Sequence, residues 1–441
     1  MVVGVCPSSF GLPTVSVKTF GALGDDNIDD TEAIQKAIDY TASISGILYF
    51  PNGHYIVSKL SIKCSLLGSD KSVIVKSLNA FDQEYEFCRV DRQSYISISK
   101  ITFNGSGGIS NSKVTGSIPL FISYSRNIHV SECKFENSPM SGIRVESSQN
   151  INIHRSVASN SIGNFGDGFY IEDCVQVNVS DCRANEYTRI GFVVERNSYD
   201  IQFENCTASN GRNASSLRGG GEYNAGFWFE GSGDITVKNC KAINNTHFGF
   251  VATSGIDKKL KPGTVNFTYK NCSSTNSAIG FRVSSSGNPV KITLNECKSE
   301  KVNQGFIALA RDESDIFEFL RCTVGLITSN STGLNDMGFM WESSINEKGT
   351  AGSLPVFKFI KSRVNYVLPI AISKLYSRDI NNSDIGTYGG GAANIFIEDF
   401  SNSLGKTGVI IKAIRGQPSF YIKNTKANLN YLVKKENVKI L

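Results

Sequence analysis

Several features that mark common protein classes are scarce in this chain of 441 residues. It holds 10 prolines, 2 tryptophans and 4 histidines, and no run of eighteen apolar residues occurs, so membrane insertion is not expected. The net charge is only +5, and basic residues gather only near the end, at Lys434, Lys435 and Lys439. Nucleic acid is therefore not an expected partner. The stretch from Met1 to Pro13 lacks the basic start and apolar core of a secretory signal, which predicts synthesis in the cytoplasm.

The eleven cysteines are sparse for a disulfide-rich protein, and most recur at one position of a repeat. We expect buried free thiols, although stacked rungs about 4.8 Å apart would also accept disulfides. No CxxC pair occurs, and the histidines at 54, 129, 154 and 247 are dispersed. The sequence therefore predicts no metal site and no cofactor.

Glycine is abundant, at 41 residues, and short alternations of Val, Ile and Phe indicate an all-β chain with tight turns. Gly-Phe or Gly-Ile pairs recur with gaps of 26, 23, 35, 23, 31, 25 and 33 residues, starting at Gly142, Gly168, Gly191, Gly226, Gly249, Gly280, Gly305 and Gly338. Such a period, with longer exceptions, is typical of a solenoid that carries loop insertions. Each row contains three short alternating segments, which predicts a three-sided coil.

Equivalent residues of successive coils should stack into ladders. The thiol ladder comprises Cys133, Cys182, Cys206, Cys240, Cys272, Cys297 and Cys322, with Ser156 in one rung. Four residues after these rungs stand Asn137, Asn160, Asn210, Asn244 and Asn276. Asparagine tolerates the left-handed backbone of a tight bend, so we interpret these residues as a structural amide ladder.

The first residues differ from the repeat. A polar cap at Asp30 and apolar residues at helical spacing predict a helix from Thr31 to Tyr40 that covers the N-terminal end of the coil. We expect a lead-in segment and cap over residues 1–60, a β-helix over 61–345, and irregular coils, a cap or an oligomer contact over 346–441.

A family resemblance rests on three segments: Phe20-Gly21-Ala22-Leu23-Gly24-Asp25, residues 29–38, and Tyr49-Phe50-Pro51-Asn52-Gly53-His54-Tyr55. They resemble the opening of pectate-lyase-superfamily β-helices, and within that superfamily the opening of bacteriophage tailspike depolymerases. The resemblance implies a single-stranded right-handed parallel β-helix of three sheets. It also implies a polysaccharide substrate, a homotrimer, and a location on a virion tail or outside the cell.

Candidate catalytic residues follow from the strand after each Gly-Phe glycine. Positions one and three after the glycine are apolar and face inward, so position four faces outward, and there four successive coils carry Glu146, Glu172, Glu195 and Glu230. Stacked glutamates repel one another, so some should have raised pKa values. Glycoside cleavage needs a protonated carboxyl beside an ionised one. We therefore expect Glu172 and Glu195 as the main pair, with Asp167 and Glu230 as further catalytic candidates; a solvated polar stripe is the alternative.

Candidate substrate-binding residues surround this pair. They are Tyr170, Trp228, Arg144, Arg189, Arg196, Glu222, Tyr223 and His247. Outward Tyr and Trp suit sugar stacking, and Glu222 and Tyr223 belong to the insertion from Gly211 to Ala225, since loops on a rigid scaffold commonly carry function. Trp228 could instead lie under a loop, and a lone histidine is more often a local hydrogen-bonding residue than a base.

Paired carboxylates make endo-acting hydrolysis of a bacterial capsule or O-antigen polysaccharide the leading expectation. A uronate lyase or epimerase is the first alternative, because Arg144, Arg189, Arg196 and His247 with Tyr170 could build such a site. A glycan-binding spike or adhesin without turnover is the second.

Overall fold

The computed structural model describes residues 11–25, 27–69, 71–77, 86–110, 113–163, 165–212, 224–254, 264–325, 337–343, 345, 354–364, 392–402, 409–411, 419–425, 427–429 and 438–441. Three long parallel sheets, here named A, B and C in the order in which each coil visits them, wind into a right-handed parallel β-helix. This architecture confirms the predicted fold class. Within the described ranges, no helix is long and apolar enough to cross a bilayer.

Over the described residues, sheet A has sixteen strands, sheet B thirteen and sheet C eleven. Those of sheet A are Thr14–Ser16, Ile47–Phe50, Ser65–Gly68, Ser97–Ser99, Arg126–Ser131, Gln149–His154, Val175–Ser180, Tyr199–Glu204, Gly233–Lys238, Val265–Lys270, Val290–Asn295, Ile316–Leu320, Val356–Ile360, Asn394–Glu398, Ser419–Lys423 and Val438–Ile440. Those of sheet B are Gly53–Val57, Ser72–Lys76, Thr102–Asn104, Lys134–Ser138, Val157–Ser161, Arg183–Tyr187, Thr207–Gly211, Lys241–Asn245, Ser273–Thr275, Lys298–Glu300, Thr323–Val324, Arg363–Val364 and Ser401–Asn402.

Sheet C, which carries the candidate site, has eleven strands: Leu60–Ser61, Cys88–Asp91, Leu120–Ser123, Ser141–Glu146, Asp167–Glu172, Ile190–Glu195, Ala225–Glu230, Phe248–Thr253, Ile279–Ser284, Gln304–Ala310 and Met337–Ser343. Two short pairs stand apart from the three sheets. Gly108–Ser110 runs antiparallel to Lys113–Thr115, and Val409–Ile411 runs parallel to Ala427–Leu429.

The Gly-Phe repeat has a steric cause at the corner between sheets B and C. A Cβ on Gly226 would lie 2.7 Å from the Ala242 Cβ, so only glycine fits beside the neighbouring strand. The phenylalanine after each glycine points inward and stacks on its equivalent, with Phe227 centred 4.8 Å from Phe192 and 4.7 Å from Phe250. In-register pairing of these strands keeps the rings aligned from coil to coil.

The predicted ladders are present. Each cysteine of the thiol ladder is buried and free, and so are Cys64, Cys88 and Cys174. The five asparagines have φ between 54° and 59°, and their amides bond from coil to coil, with Asn276 Nδ2 donating to Asn244 Oδ1 at 2.9 Å. A second ladder that the sequence did not reveal joins Asn205, Asn239 and Asn271.

The predicted helix runs from Thr31 to Ser43, three residues beyond the expected end. Asp29, not Asp30, supplies the carboxylate that accepts the Thr31 N–H, at 2.8 Å. Ile34, Ala37, Ile38 and Thr41 are buried against the first coil, so the helix covers the N-terminal end of the core. A short 3₁₀ helix, Val17–Phe20, precedes it.

Beyond residue 345 the Gly-Phe rhythm fades, but sheet A continues through four more parallel strands. Stacked rings again fill the interior, with Phe319 and Phe359 centred 5.2 Å apart. The division of the chain at residues 60 and 345 into a lead-in segment, a β-helix and a C-terminal part stays a prediction.

Candidate functional site

The four predicted glutamates form one continuous column on the outer side of sheet C. Glu146 pairs in register with Glu172, Glu172 with Glu195, and Glu195 with Glu230. Parallel β-pairing therefore stacks four carboxylates on adjacent rungs, as the spacing in the sequence predicted. The two central side chains are largely enclosed, with Glu172 12% and Glu195 19% exposed.

Tyr170 stands between the two central glutamates. Its hydroxyl lies 3.0 Å from Glu172 Oε2 and 2.8 Å from Glu195 Oε2. Burial and the two carboxylates raise the pKa of this phenol well above its usual value. The sequence predicted an exposed ring for sugar stacking, but the ring is only 7% exposed and lies under the Arg144 guanidinium, 4.5 Å from the ring centroid. Its geometry favours hydrogen bonding over stacking.

Glu172 has two cationic partners. Arg196 Nη1 donates to its Oε1 at 2.6 Å, and Arg144 Nη2 donates to its Oε2 at 3.3 Å. Arg144 also pairs with Glu146. These two arginines stabilise negative charge on Glu172.

Glu195 lies in different surroundings. Burial raises the pKa of its carboxyl, Asp167 and Glu230 add to that effect, and Arg189 opposes it. The nearest guanidinium nitrogen, Arg189 Nη2, is 3.8 Å away. The two neighbouring carboxyl groups thus differ in their surroundings: two arginines bond Glu172, whereas Glu195 is enclosed and its nearest guanidinium nitrogen lies 3.8 Å away.

Asp167 is completely buried and bound to Arg189 by two hydrogen bonds, of 2.8 and 2.6 Å. It also accepts the Ile190 N–H at 3.2 Å. Burial raises the pKa of Asp167, although Arg189 opposes that shift. With all its oxygens engaged inside the protein, Asp167 is placed to hold Arg189 beside Tyr170 and Glu195, not to meet a substrate.

Glu230 and Trp228 lie at the edge of the pair. The Trp228 indole N–H donates to Glu230 Oε2 at 3.0 Å, and Glu230 is exposed. Trp228 is half-buried and packs edge-on against Phe248. It belongs to an apolar cluster outside the main core, whose members are Tyr170, Ile190, Val193, Ala225, Phe248 and Val251, with Trp228 and Ile279 packed against them. Val193 and Val251, two residues after Gly191 and Gly249, lie on the outer side of sheet C and are nevertheless buried.

His247 has a local role. Its Nδ1 accepts the Asn224 N–H at 3.3 Å, and burial lowers the pKa of the imidazole, which favours the neutral ring. Glu222 and Tyr223 lie outside the described residues. No group of three or more metal-ligating side chains occurs in the part of the chain that the structure describes.

The sequence missed the continuation of the site toward the N-terminus. Arg89, Phe121, Arg144 and Tyr170 occupy one column of sheet C, here called the arginine–aromatic ribbon. The Arg89 guanidinium lies 5.2 Å from the Phe121 centroid. A count of positions from the glycines of the repeat could not reach Arg89 and Phe121, because the first glycine of that series is Gly142.

Fold and site together define a β-helix with a carboxylate pair on one sheet. Residues 14–250 match the family described as rhamnogalacturonase A/epimerase, pectate lyase-like, and the chain belongs to this family. The expected relationship to pectate-lyase-like β-helices is confirmed.

Two curated relatives and one solved structure give context. The chain is 25% identical over 277 residues to a pre-neck appendage protein of Bacillus phage B103, covering 53% of this chain and 30% of that protein. It is 30% identical over 217 residues to mannuronan C5-epimerase AlgE5 of Azotobacter vinelandii, covering 44% and 21%. The match thus spans less than a third of either relative. A Yersinia enterocolitica family 28 exopolygalacturonase shares the fold, with 12% identity, a TM-score of 0.51, and coverage of 96% and 79%.

Proposed function

We propose that the protein is an endo-acting glycoside hydrolase that cleaves a bacterial surface polysaccharide, a capsule or an O-antigen, on the outer face of sheet C. The observation that carries the proposal is the Tyr170 hydroxyl between Glu172 and Glu195. A phenol has one hydrogen and can donate it to one carboxylate at a time. The other short contact is a hydrogen bond only if that carboxyl is protonated and donates to the phenol oxygen.

The surroundings indicate which carboxyl holds the proton. Arg144 and Arg196 stabilise charge on Glu172, whereas burial raises the pKa of Glu195. Glu195 is therefore the proposed general acid and Glu172 the proposed nucleophile. Adjacent rungs lie about 4.8 Å apart, close to the roughly 5–5.5 Å between carboxyl groups of retaining glycosidases.

The chemistry then has two balanced steps. Glu195 donates its proton to the glycosidic oxygen as that bond breaks, and Glu172 attacks the anomeric carbon to form a glycosyl ester. Glu195, now ionised, takes a proton from a water molecule, which attacks the same carbon and releases Glu172. Tyr170 holds both carboxyl groups in place, and Asp167 holds Arg189 beside them.

The charges on the face favour hydrolysis of an uncharged sugar. Lyases and epimerases need a cation to neutralise the uronate carboxylate. Five arginines of this face, from the coil of Arg89 to that of Arg196, pair with protein carboxylates: Arg89 with Glu86 and Asp91, Arg92 with Asp91, Arg144 with Glu146 and Glu172, Arg189 with Asp167, and Arg196 with Glu172. Little of their positive charge is left beside the carboxylate pair to hold a sugar carboxylate.

Uronate epimerisation or lysis is the second candidate, and one observation favours it: the 30% identity to a mannuronan C5-epimerase. In that case Tyr170 and a neighbouring arginine would act on the C5 proton. If the products carry a 4,5-unsaturated uronate, which absorbs in the ultraviolet, the reaction is lysis and not hydrolysis.

The test begins with a panel of capsule and O-antigen polysaccharides and a measurement of released reducing ends. On a cleaved polysaccharide, Glu172→Gln and Glu195→Gln should each lower turnover at least about a hundredfold while glycan binding is retained. Glu204→Gln, which changes an exposed glutamate on sheet A, is the matched control. Near-normal rates in both site variants would show that the pair is assigned wrongly. Binding of glycan without turnover by the wild type would identify a glycan-binding spike instead.

The phage appendage relative supports a place on a virion. The homotrimer is proposed only from the resemblance to phage spikes. Three-sided β-helices can associate side by side through an outer face. Light scattering of the purified chain at micromolar concentration should give three times the chain mass, and a monomer would contradict the assembly.

A further inference from the structure

We propose a second sugar-binding position at Arg92 and Tyr124, on the N-terminal side of the carboxylate pair, where an uncharged pyranose ring stacks on the tyrosine. This inference rests on the proposed function, because it assumes that the outer face of sheet C holds a glycan. It adds the direction in which that glycan lies and the length that the protein recognises.

The first observation is the exposure of Tyr124. This side chain is 58% exposed, whereas the aromatic rings nearer the pair, Phe121 and Tyr170, are 9% and 7% exposed. The Arg92 guanidinium lies over the Tyr124 ring, 5.0 Å from its centroid, and is itself held by Asp91 at 2.6 Å. An arginine covers at most one face of a ring, so the Tyr124 ring is held in place by Arg92 on one face and stays accessible to solvent on the other.

The second observation is the backbone at Tyr124, whose φ is 47°. The same turn of neighbouring coils carries Arg92, Ser147, Asp173 and Arg196, at φ of 50°, 45°, 52° and 40°. The turn thus takes residues of several kinds, and its backbone does not require a ring. The tyrosine must therefore be explained by what it contacts and not by the turn.

The third observation is continuity with the carboxylate pair. The arginine–aromatic ribbon leads along sheet C from Arg89 to Tyr170, directly beside the column of Ser123, Glu146 and Glu172. Tyr124 follows Ser123, which lies two rungs from Glu172 and three from Glu195, about 10 and 14 Å at 4.8 Å per rung. A glycan bound at both places must therefore run parallel to the helix axis and extend over several sugar units.

Charge selects the class of sugar. Arg89 and Arg92 both pair with Asp91, whose carboxylate also accepts the Ser123 hydroxyl at 2.7 Å. This arrangement leaves a balanced surface with one exposed ring, which suits an uncharged sugar and offers little to a uronate.

The experiment is affinity electrophoresis of the full chain in gels that contain neutral O-antigen polysaccharides, with alginate and polygalacturonate gels for comparison. Tyr124→Asn and Tyr124→Gly are the test variants, since both residues fit the left-handed backbone and should leave the melting temperature unchanged or higher. Tyr199→Ala, which removes a 37% exposed tyrosine from sheet A, is the matched control.

We expect both Tyr124 variants to bind the retarding neutral polysaccharide at least about tenfold more weakly than the wild type, and Tyr199→Ala to bind as the wild type does. Oligosaccharides too short to span both positions should lose the difference between variant and wild type. Equal retardation of wild type and Tyr124 variants would overturn the subsite while leaving the proposed function intact. If only alginate or polygalacturonate gels retard the protein, the proposal of an uncharged ligand is wrong. If no glycan retards the protein and none is cleaved, both proposals are wrong.

Discussion

Replacement of Tyr170 by phenylalanine tests the proposed sharing of a proton between Glu172 and Glu195. The change removes one oxygen and keeps the ring under Arg144. In the proposed state the phenol oxygen accepts the proton of Glu195 while the phenol donates to Glu172, so both contacts are hydrogen bonds only while Glu195 is protonated. Removal of the hydroxyl should therefore lower the pKa of Glu195. A hydrogen bond to a charged group contributes about 1.5–3 kcal/mol, which sets the size of the effect.

Two measurements follow the shift. If Glu195 is the general acid, the alkaline limb of the pH–rate profile should move to lower pH in Tyr170→Phe, because activity requires the protonated carboxyl. Stability gives a readout that needs no substrate. A carboxyl whose folded pKa lies above its unfolded value, about 4.3, makes the protein lose stability as the pH rises from the unfolded to the folded pKa. That loss should end at a lower pH in Tyr170→Phe.

Scanning calorimetry over the same pH range separates this effect from general damage. Glu195→Gln removes the titrating carboxyl, so the stability of this variant should lose the part of its pH dependence that comes from residue 195. Tyr199→Phe should follow the wild type. A pH–rate limb or a stability curve of Tyr170→Phe that coincides with the wild type, or that shifts to higher pH, would refute the shared proton.

Two further predictions concern the scaffold. Asp167→Asn should lower the free energy of unfolding in urea by about 3–5 kcal/mol, because it leaves the enclosed Arg189 without its partner. Asp173→Asn, on an exposed turn, is the control and should change little. Equal effects of the two variants would contradict the buried ion pair. Phe227→Ala should lower the free energy of unfolding by about 3–5 kcal/mol, because it opens a cavity in the ring stack, and Phe227→Leu should lower it less. A decrease below about 1 kcal/mol in the alanine variant would mean that the stack is not tightly packed.

The repeat was predictable because its causes recur in every coil. Gly226 is required by the neighbouring Ala242, Phe227 by the ring below it, and Asn244 by the left-handed bend, and each cause leaves the same residue at the same spacing. The register of the carboxylate column follows from that repeat. A sequence pattern of period two gives the side of a strand, and this was enough to bring Glu172 and Glu195 together.

The surroundings of the site were not predictable in the same way. Whether Val193 is buried on the outer side of sheet C depends on what packs over it, and nothing in the repeat encodes that. The sequence also gave no sign that Tyr170 lies beneath Arg144. The position at Arg92 and Tyr124 was missed because its coils pack without the Gly-Phe pair that served as the marker.

The capping helix has a consequence for assembly. In-register parallel coils expose, at each end of the solenoid, a row of backbone donors and acceptors that another chain could extend. Thr31–Ser43 covers the first coil with Ile34, Ala37 and Ile38. The helix thereby prevents one molecule from serving as the template for the next, so it defines where the coil begins and also keeps a fibre from growing at that end.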